Sequence, residues 1–235
     1  MYKKLKIDKI LSTISRLRKR IDERIPESSI SRVCVELHNS ACGAQQRIND
    51  LLMPNKWIRF SVFVVIALFF SMLIYTISIV QWQYSTPNLT EIIQITEALI
   101  NDVLLVGAAL FFLITIEQRI KRRDILKELH LLRSIAHVID MHQLTKDPSM
   151  VNSNHNRTES SPKRSMTAFE LLRYLEYCSE MFSIIGKIAA LFSERLPESS
   201  IVSASNDIEN LCTGLSTKVW QKMVFLGNDK ILIDK

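Results

Sequence analysis

Five polar residues in the run ELHLLRSIAHVIDMHQLTKDP are of types that bind ligands: His130, Arg133, His137, Asp140 and His142. Steps of 3, 4 and 3 residues put His130, Arg133, His137 and Asp140 on one helix face and leave His142 on another. His and Asp at that spacing can share a metal, and Arg with His can hold a phosphate. The same four residues also suit a buried polar network that fixes helix register. A hydrolytic centre needs more carboxylates or an HExxH pair, and the chain has neither. Phosphate-binding Gly-rich loops, GxSxG elbows and kinase motifs are also absent from the sequence. Neither catalysis nor a resident cofactor or metal is therefore expected; a metal hydrolase built on His137 and Asp140 stands as a third reading.

A second pattern lies upstream. Gln94, Glu97, Asn101, Ala108 and Thr115 recur at intervals of 3, 4 and 7, a polar or small stripe along one helix face, with Asp102 beside it. Several copies around an axis could line a pore with this stripe, and Glu97 or Asp102 would then make an acidic ring that prefers cations. The plainer reading is that these residues sit in the outer membrane interface and help helices pack. A third pattern is Lys218 and Lys222, one turn apart with Trp220 between them. It suits an anion or nucleotide contact, or a solvated face beside a core Trp.

The elements that carry these residues are helical. The chain of 235 residues has 5 Gly and 6 Pro, few points at which a helix would stop. Ile58 to Val80 is apolar except for Arg59 and is long enough for a hydrocarbon core of roughly 30 Å. It lies far from Met1 for a signal peptide. A second span is expected over about 98–116, containing Gly107-Ala108-Ala109, which permits close helix contact. The connector Gln81 to Glu97 has no Lys or Arg, whereas a dozen basic residues precede Ile58 and Arg119, Lys121, Arg122 and Arg123 follow the second span. The positive-inside rule puts both termini in the cytoplasm, with Trp57, Trp82 and Tyr84 at the interfaces. The net charge of +6 is explained by those flanks as well as by a nucleic-acid partner. The four scattered cysteines suit reduced, partly buried thiols better than a disulfide or zinc framework.

The expected fold is all-α. An N-terminal helical hairpin occupies residues 1–54 and a transmembrane hairpin 55–117. A cytosolic continuation of the second span follows over 118–148, then a mobile linker over 149–166 and a C-terminal helical hairpin over 167–235. The final helices are placed at about 168–196 and 198–226. An internal echo links the two hairpins: Glu23-Arg24-Ile25-Pro26-Glu27-Ser28-Ser29-Ile30 returns as Glu194-Arg195-Leu196-Pro197-Glu198-Ser199-Ser200-Ile201. It fits either a duplication or convergent turn grammar.

Three runs, LRSIAHVIDMHQLTKDP, YLEYCSEMFSIIGKIAALF and GLSTKVWQKM, resemble a widespread bacterial family whose members are mainly uncharacterised, over roughly the last half of the chain. A two-span chain of this size also resembles the membrane effector of the Hailong anti-phage system. That resemblance implies a homo-oligomer, such as a tetramer, in the lipid of the bacterial inner membrane. It also implies a channel held shut by a nucleotide or oligonucleotide ligand from a partner nucleotidyltransferase. The residues themselves leave open a membrane-anchored scaffold or sensor without a pore.

Overall fold

The computed structural model describes residues 5–52, 56–79, 89–146, 148 and 166–233. The expected linker as far as residue 165, the expected interfacial residues Trp82 and Tyr84, and residues 81–88 of the connector between the apolar segments lie outside the described residues. The described residues form six helices and no strand: α1 (Ile7–Arg24), α2 (Ser29–Leu52), α3 (Lys56–Ile79), α4 (Leu89–Leu144), α5 (Ala168–Arg195) and α6 (Ser199–Ile233). The chain divides into two compact units. One holds residues 1–50 and 124–235, the other 51–123, so α4 belongs in part to each.

In the first unit, helix phase decides what is buried. α1 presents Ile10, Ile14, Leu17 and Ile21 inward at steps of 4, 3 and 4. α2 turns in Ile30, Cys34, Leu37, Ala41 and Ile48, and α4 turns in Ile125, Leu129, Leu132, Ala136 and Ile139. α5 buries the widest face, including Leu175, Cys178, Met181, Phe182, Ile185, Ile188 and Phe192, and packs against both α1 and α6. Polar ties at the edges set the helix registers. Ser31 Oγ donates to Asp22 Oδ1 across the α1–α2 turn at 2.5 Å, and Gln45 Nε2 donates to Asp8 Oδ1 at 2.8 Å near the far end. Arg47 on α2 pairs with Glu128 on α4 at 3.3 Å. α5 opens with a reciprocal cap: the Glu170 N–H donates to Thr167 Oγ1, and the Thr167 N–H donates to the Glu170 carboxylate.

The sequence echo has a structural counterpart. A shift of 171 residues takes Glu23 to Glu194 and α1–α2 onto α5–α6. It pairs many buried positions: Ile14 with Ile185, Leu17 with Ile188, Ile21 with Phe192, Ile30 with Ile201, Cys34 with Ser205, Leu37 with Ile208 and Ile48 with Val219. Both first helices end alike. Ile25 stands at φ −135°, ψ 68° and donates to Ile21 O; Leu196 stands at φ −133°, ψ 89° and donates to Phe192 O. The turns then diverge, because Glu27 takes a positive φ of 54°, whereas no residue of the second turn has one. α6 also outlasts its expected end near Leu226 and runs on through Gly227 to Ile233. A single glycine costs a helix only about 1 kcal/mol and does not stop it unaided.

In the second unit many of the described apolar side chains point outward. Phe63, Leu68, Phe70 and Ile74 of α3 are exposed, as are Leu104, Leu105, Phe111 and Phe112 of α4. Among the described residues, one helix segment, Ile100–Leu144, is long and apolar enough to cross a membrane. α3 carries a shorter apolar run, Phe60–Met72.

Candidate functional site

On α4 the half-buried positions Asp102, Val106, Ala109, Leu113 and Ile116 follow one stripe at steps of 4, 3, 4 and 3. On α3 the half-buried Val62, Val65 and Phe69 do the same. The expected pore-lining residues split across this division. Gln94, Glu97, Asn101 and Ala108 are exposed and lie well round α4 from the half-buried stripe. Asp102 belongs to the half-buried stripe, about 120° away from Glu97 and Asn101. Thr115 is in phase with the polar residues but half-buried, and its Oγ1 donates to Phe111 O at 2.7 Å. Thr96 bonds Ile92 O in the same way. Both hydroxyls are thereby satisfied by their own helix. A shallow groove of about 420 Å³ runs between Ile92, Ile93, Thr96, Glu97, Ile100 and Asn101.

Lower on α4, His130, Arg133 and His137 are exposed and Asp140 is half-buried. They border the buried stripe that runs from Ile125 to Gln143, outside the core. The buried network that their spacing also allowed is thus not where these four residues sit. Among the described residues, no group of three or more His, Cys, Asp and Glu side chains is arranged to hold a metal ion.

Lys218 and Trp220 on α6 are exposed, Trp220 at 52%. Trp220 is therefore not a core side chain. It borders a groove of about 920 Å³ between α5 and α6, together with Glu176, Ser179, Ser183, Thr213 and Ser216. The repeat explains why the groove is open here. Ser179 and Ser216 stand where the first hairpin has Asp8 and Gln45, whose hydrogen bond bridges α1 and α2.

Lys222 turns instead to the end of α4, where its Nζ donates to Gln143 O at 2.8 Å. Tyr174 Oη donates to the neighbouring His142 O at 3.4 Å, and Lys146 lies over the Tyr174 ring at 5.8 Å. Two of the last carbonyls of α4, which have no partner within a helix, are satisfied in this way. The Gln143 side chain is 2% exposed, and its Nε2 has no hydrogen-bond partner of ordinary geometry among the described residues. Cys178 lies beside it, its thiol pKa pushed up by burial, with Gln143 and Lys222 acting weakly the other way. Sequence reasoning missed this cluster. The available signal was polar Gln143 in phase with Leu129, Leu132, Ala136 and Ile139.

No family model, curated protein or solved structure matches this chain.

Proposed function

We propose that α3 and α4 cross a bilayer as a helical hairpin with both termini in the cytoplasm. Several copies then assemble into a channel gated by a ligand at the compact helical unit. The observation that carries this reading is the outward-facing apolar surface of α3 and α4, from Phe60 to Tyr75 and from Ile100 to Phe112. In water such a surface would drive aggregation; in lipid it is the stable arrangement. Charge supports the orientation, because Arg119, Lys121, Arg122 and Arg123 follow the apolar part of α4.

Exposure of Gln94, Glu97, Asn101 and Ala108 supports assembly, since polar groups at membrane depth need protein or water against them. Neighbouring copies supply both. Glu97 then faces the axis and Asp102 faces α3. Gating follows if the ligand binds the open and closed arrangements of the compact unit with different affinity. A part in anti-phage defence rests on the sequence resemblance alone.

Reconstitution in liposomes tests the proposal. Glu97→Gln should lower cation-over-anion selectivity severalfold, while Asp102→Asn should leave selectivity unchanged. A protein that stays monomeric in detergent and lipid and passes no ions sinks the channel.

A second reading, a membrane-anchored scaffold or sensor, is favoured by the hydroxyls of Thr96 and Thr115, which are turned back onto their own helix. It expects function to survive replacement of 55–117 by an unrelated hairpin.

A further inference from the structure

The seam between α1 and α5 has different electrostatics at its two ends. Near the C-terminal end of α1, Arg20 forms a two-pronged ion pair with Glu180, Nη1 to Oε1 at 3.0 Å and Nη2 to Oε2, and also lies over Tyr177. Near the N-terminal end the charged side chains other than Glu180 are cationic. Lys6 just before α1, Lys9 on α1 and Lys187 on α5 line one cavity of about 440 Å³, together with Thr13 and Ser183. Leu5, Ile10 and Ile184 supply an apolar wall.

The acids within reach are already engaged. Glu180 borders the cavity but is held by Arg20, and Asp8 in the first turn of α1 is turned to Gln45. Lys187 is held at the wall, with its Nζ donating to Ser183 Oγ. The repeat locates the imbalance. Its 171-residue shift equates Lys9 with Glu180 and Arg20 with Leu191, so the ion pair at one end has no counterpart at the other.

We propose that this lysine-lined cavity between α1 and α5 binds a ligand carrying adjacent phosphate groups. Three ammonium groups and the Ser183 hydroxyl match the charge of two neighbouring phosphates better than that of one carboxylate, while the Thr13 hydroxyl is held by Lys9 O at 2.8 Å. The cavity volume lies within the range of small-molecule sites, and its Ile10–Ile184 wall suits an apolar or ring portion next to the phosphates. All three lysines are exposed, so binding is strongly weakened by salt. The proposal gives the gating ligand of the channel reading a chemical class. Its test reads binding alone, so a failed pore and a failed site are distinguishable.

The experiment is calorimetric titration of the purified full-length protein in non-ionic detergent. Sodium tripolyphosphate is the probe, at low and then at physiological ionic strength. Saturable binding of one probe per chain is expected. Lys9→Ala and Lys187→Ala should each weaken it about tenfold, while Lys19→Ala, at a position that does not line the cavity, leaves it unchanged. Unaltered thermal unfolding of each variant separates lost binding from lost fold. A short-chain, soluble phosphoinositide bisphosphate is titrated in parallel. Binding of tripolyphosphate identifies a free polyphosphate ligand. Binding of the phosphoinositide alone, lost in the same two variants, identifies a lipid headgroup. If neither binds, or if binding is indifferent to Lys9 and Lys187, the site does not exist.

Discussion

Burial sets the chemistry of individual side chains here, most plainly at the thiols. All four cysteines are free; Cys34, Cys178 and Cys212 are buried and Cys42 is half-buried. Loss of solvent pushes the Cys34 and Cys212 thiols up to about 11 and Cys178 further up. Because the thiolate is the nucleophile, Cys42 should be the first to react with maleimide at neutral pH, the other three only after denaturation. Counting adducts by mass spectrometry checks this, and early labelling of Cys178 would contradict it. The same shifts predict a pH dependence. A group whose pKa is raised on folding stabilises the fold below its unfolded value, here 9.0, and that contribution is lost as pH rises towards about 11. Stability should therefore fall over that window, and Cys34→Ala should flatten the decline. The absence of ligand spacing pointed to reduced, partly buried thiols, and three of the four are buried. The sequence allowed Trp220 on a core face and a buried His130–Asp140 network, because periodicity tells which residues share a face but not whether another element covers it.

Elements are specified by caps and phase. The Thr167–Glu170 box holds the start of α5, the helix on which both α1 and α6 pack. Thr167→Ala should cost about 1 kcal/mol in thermal or denaturant unfolding. Glu170→Gln should cost less, because the amide still accepts from the Thr167 N–H. Those hydrogen bonds hold the Glu170 carboxyl below its usual pKa. Its contribution is present above the ordinary carboxylate pKa and disappears as pH falls through the depressed value. Core truncation should be costlier: Phe192→Ala about 3–5 kcal/mol and its repeat counterpart Ile21→Ala about 2–5 kcal/mol. All six helices were legible from apolar phase and from Pro26, Pro54 and Pro197. The end of α6 was not, since a glycine stops a helix only where it takes the left-handed conformation itself, and Gly227 does not.

At the scale of the molecule, the proposed topology is open to direct test. With the native cysteines removed, Ser85→Cys should be labelled from outside intact cells by a membrane-impermeant reagent, while cysteines at either terminus should label only after lysis. The reverse pattern would invert the orientation. The sequence made the apolar segments visible because a long run of apolar residues is read without knowing what covers it. The seam charges and the open α5–α6 groove were invisible to it, since both depend on which residues meet across helices. The repeated hairpin also bears on how the chain is made. Its copies leave the ribosome 171 residues apart, a delay of roughly 10–30 s at usual synthesis rates. Throughout that interval α1–α2 has its apolar stripe formed and no α5 to receive it. On a crowded polysome the nearest complementary surface belongs to the completed hairpin of a neighbouring chain. Exchange of hairpins between nascent chains is thus the characteristic misassembly of this architecture, and slower translation should increase it.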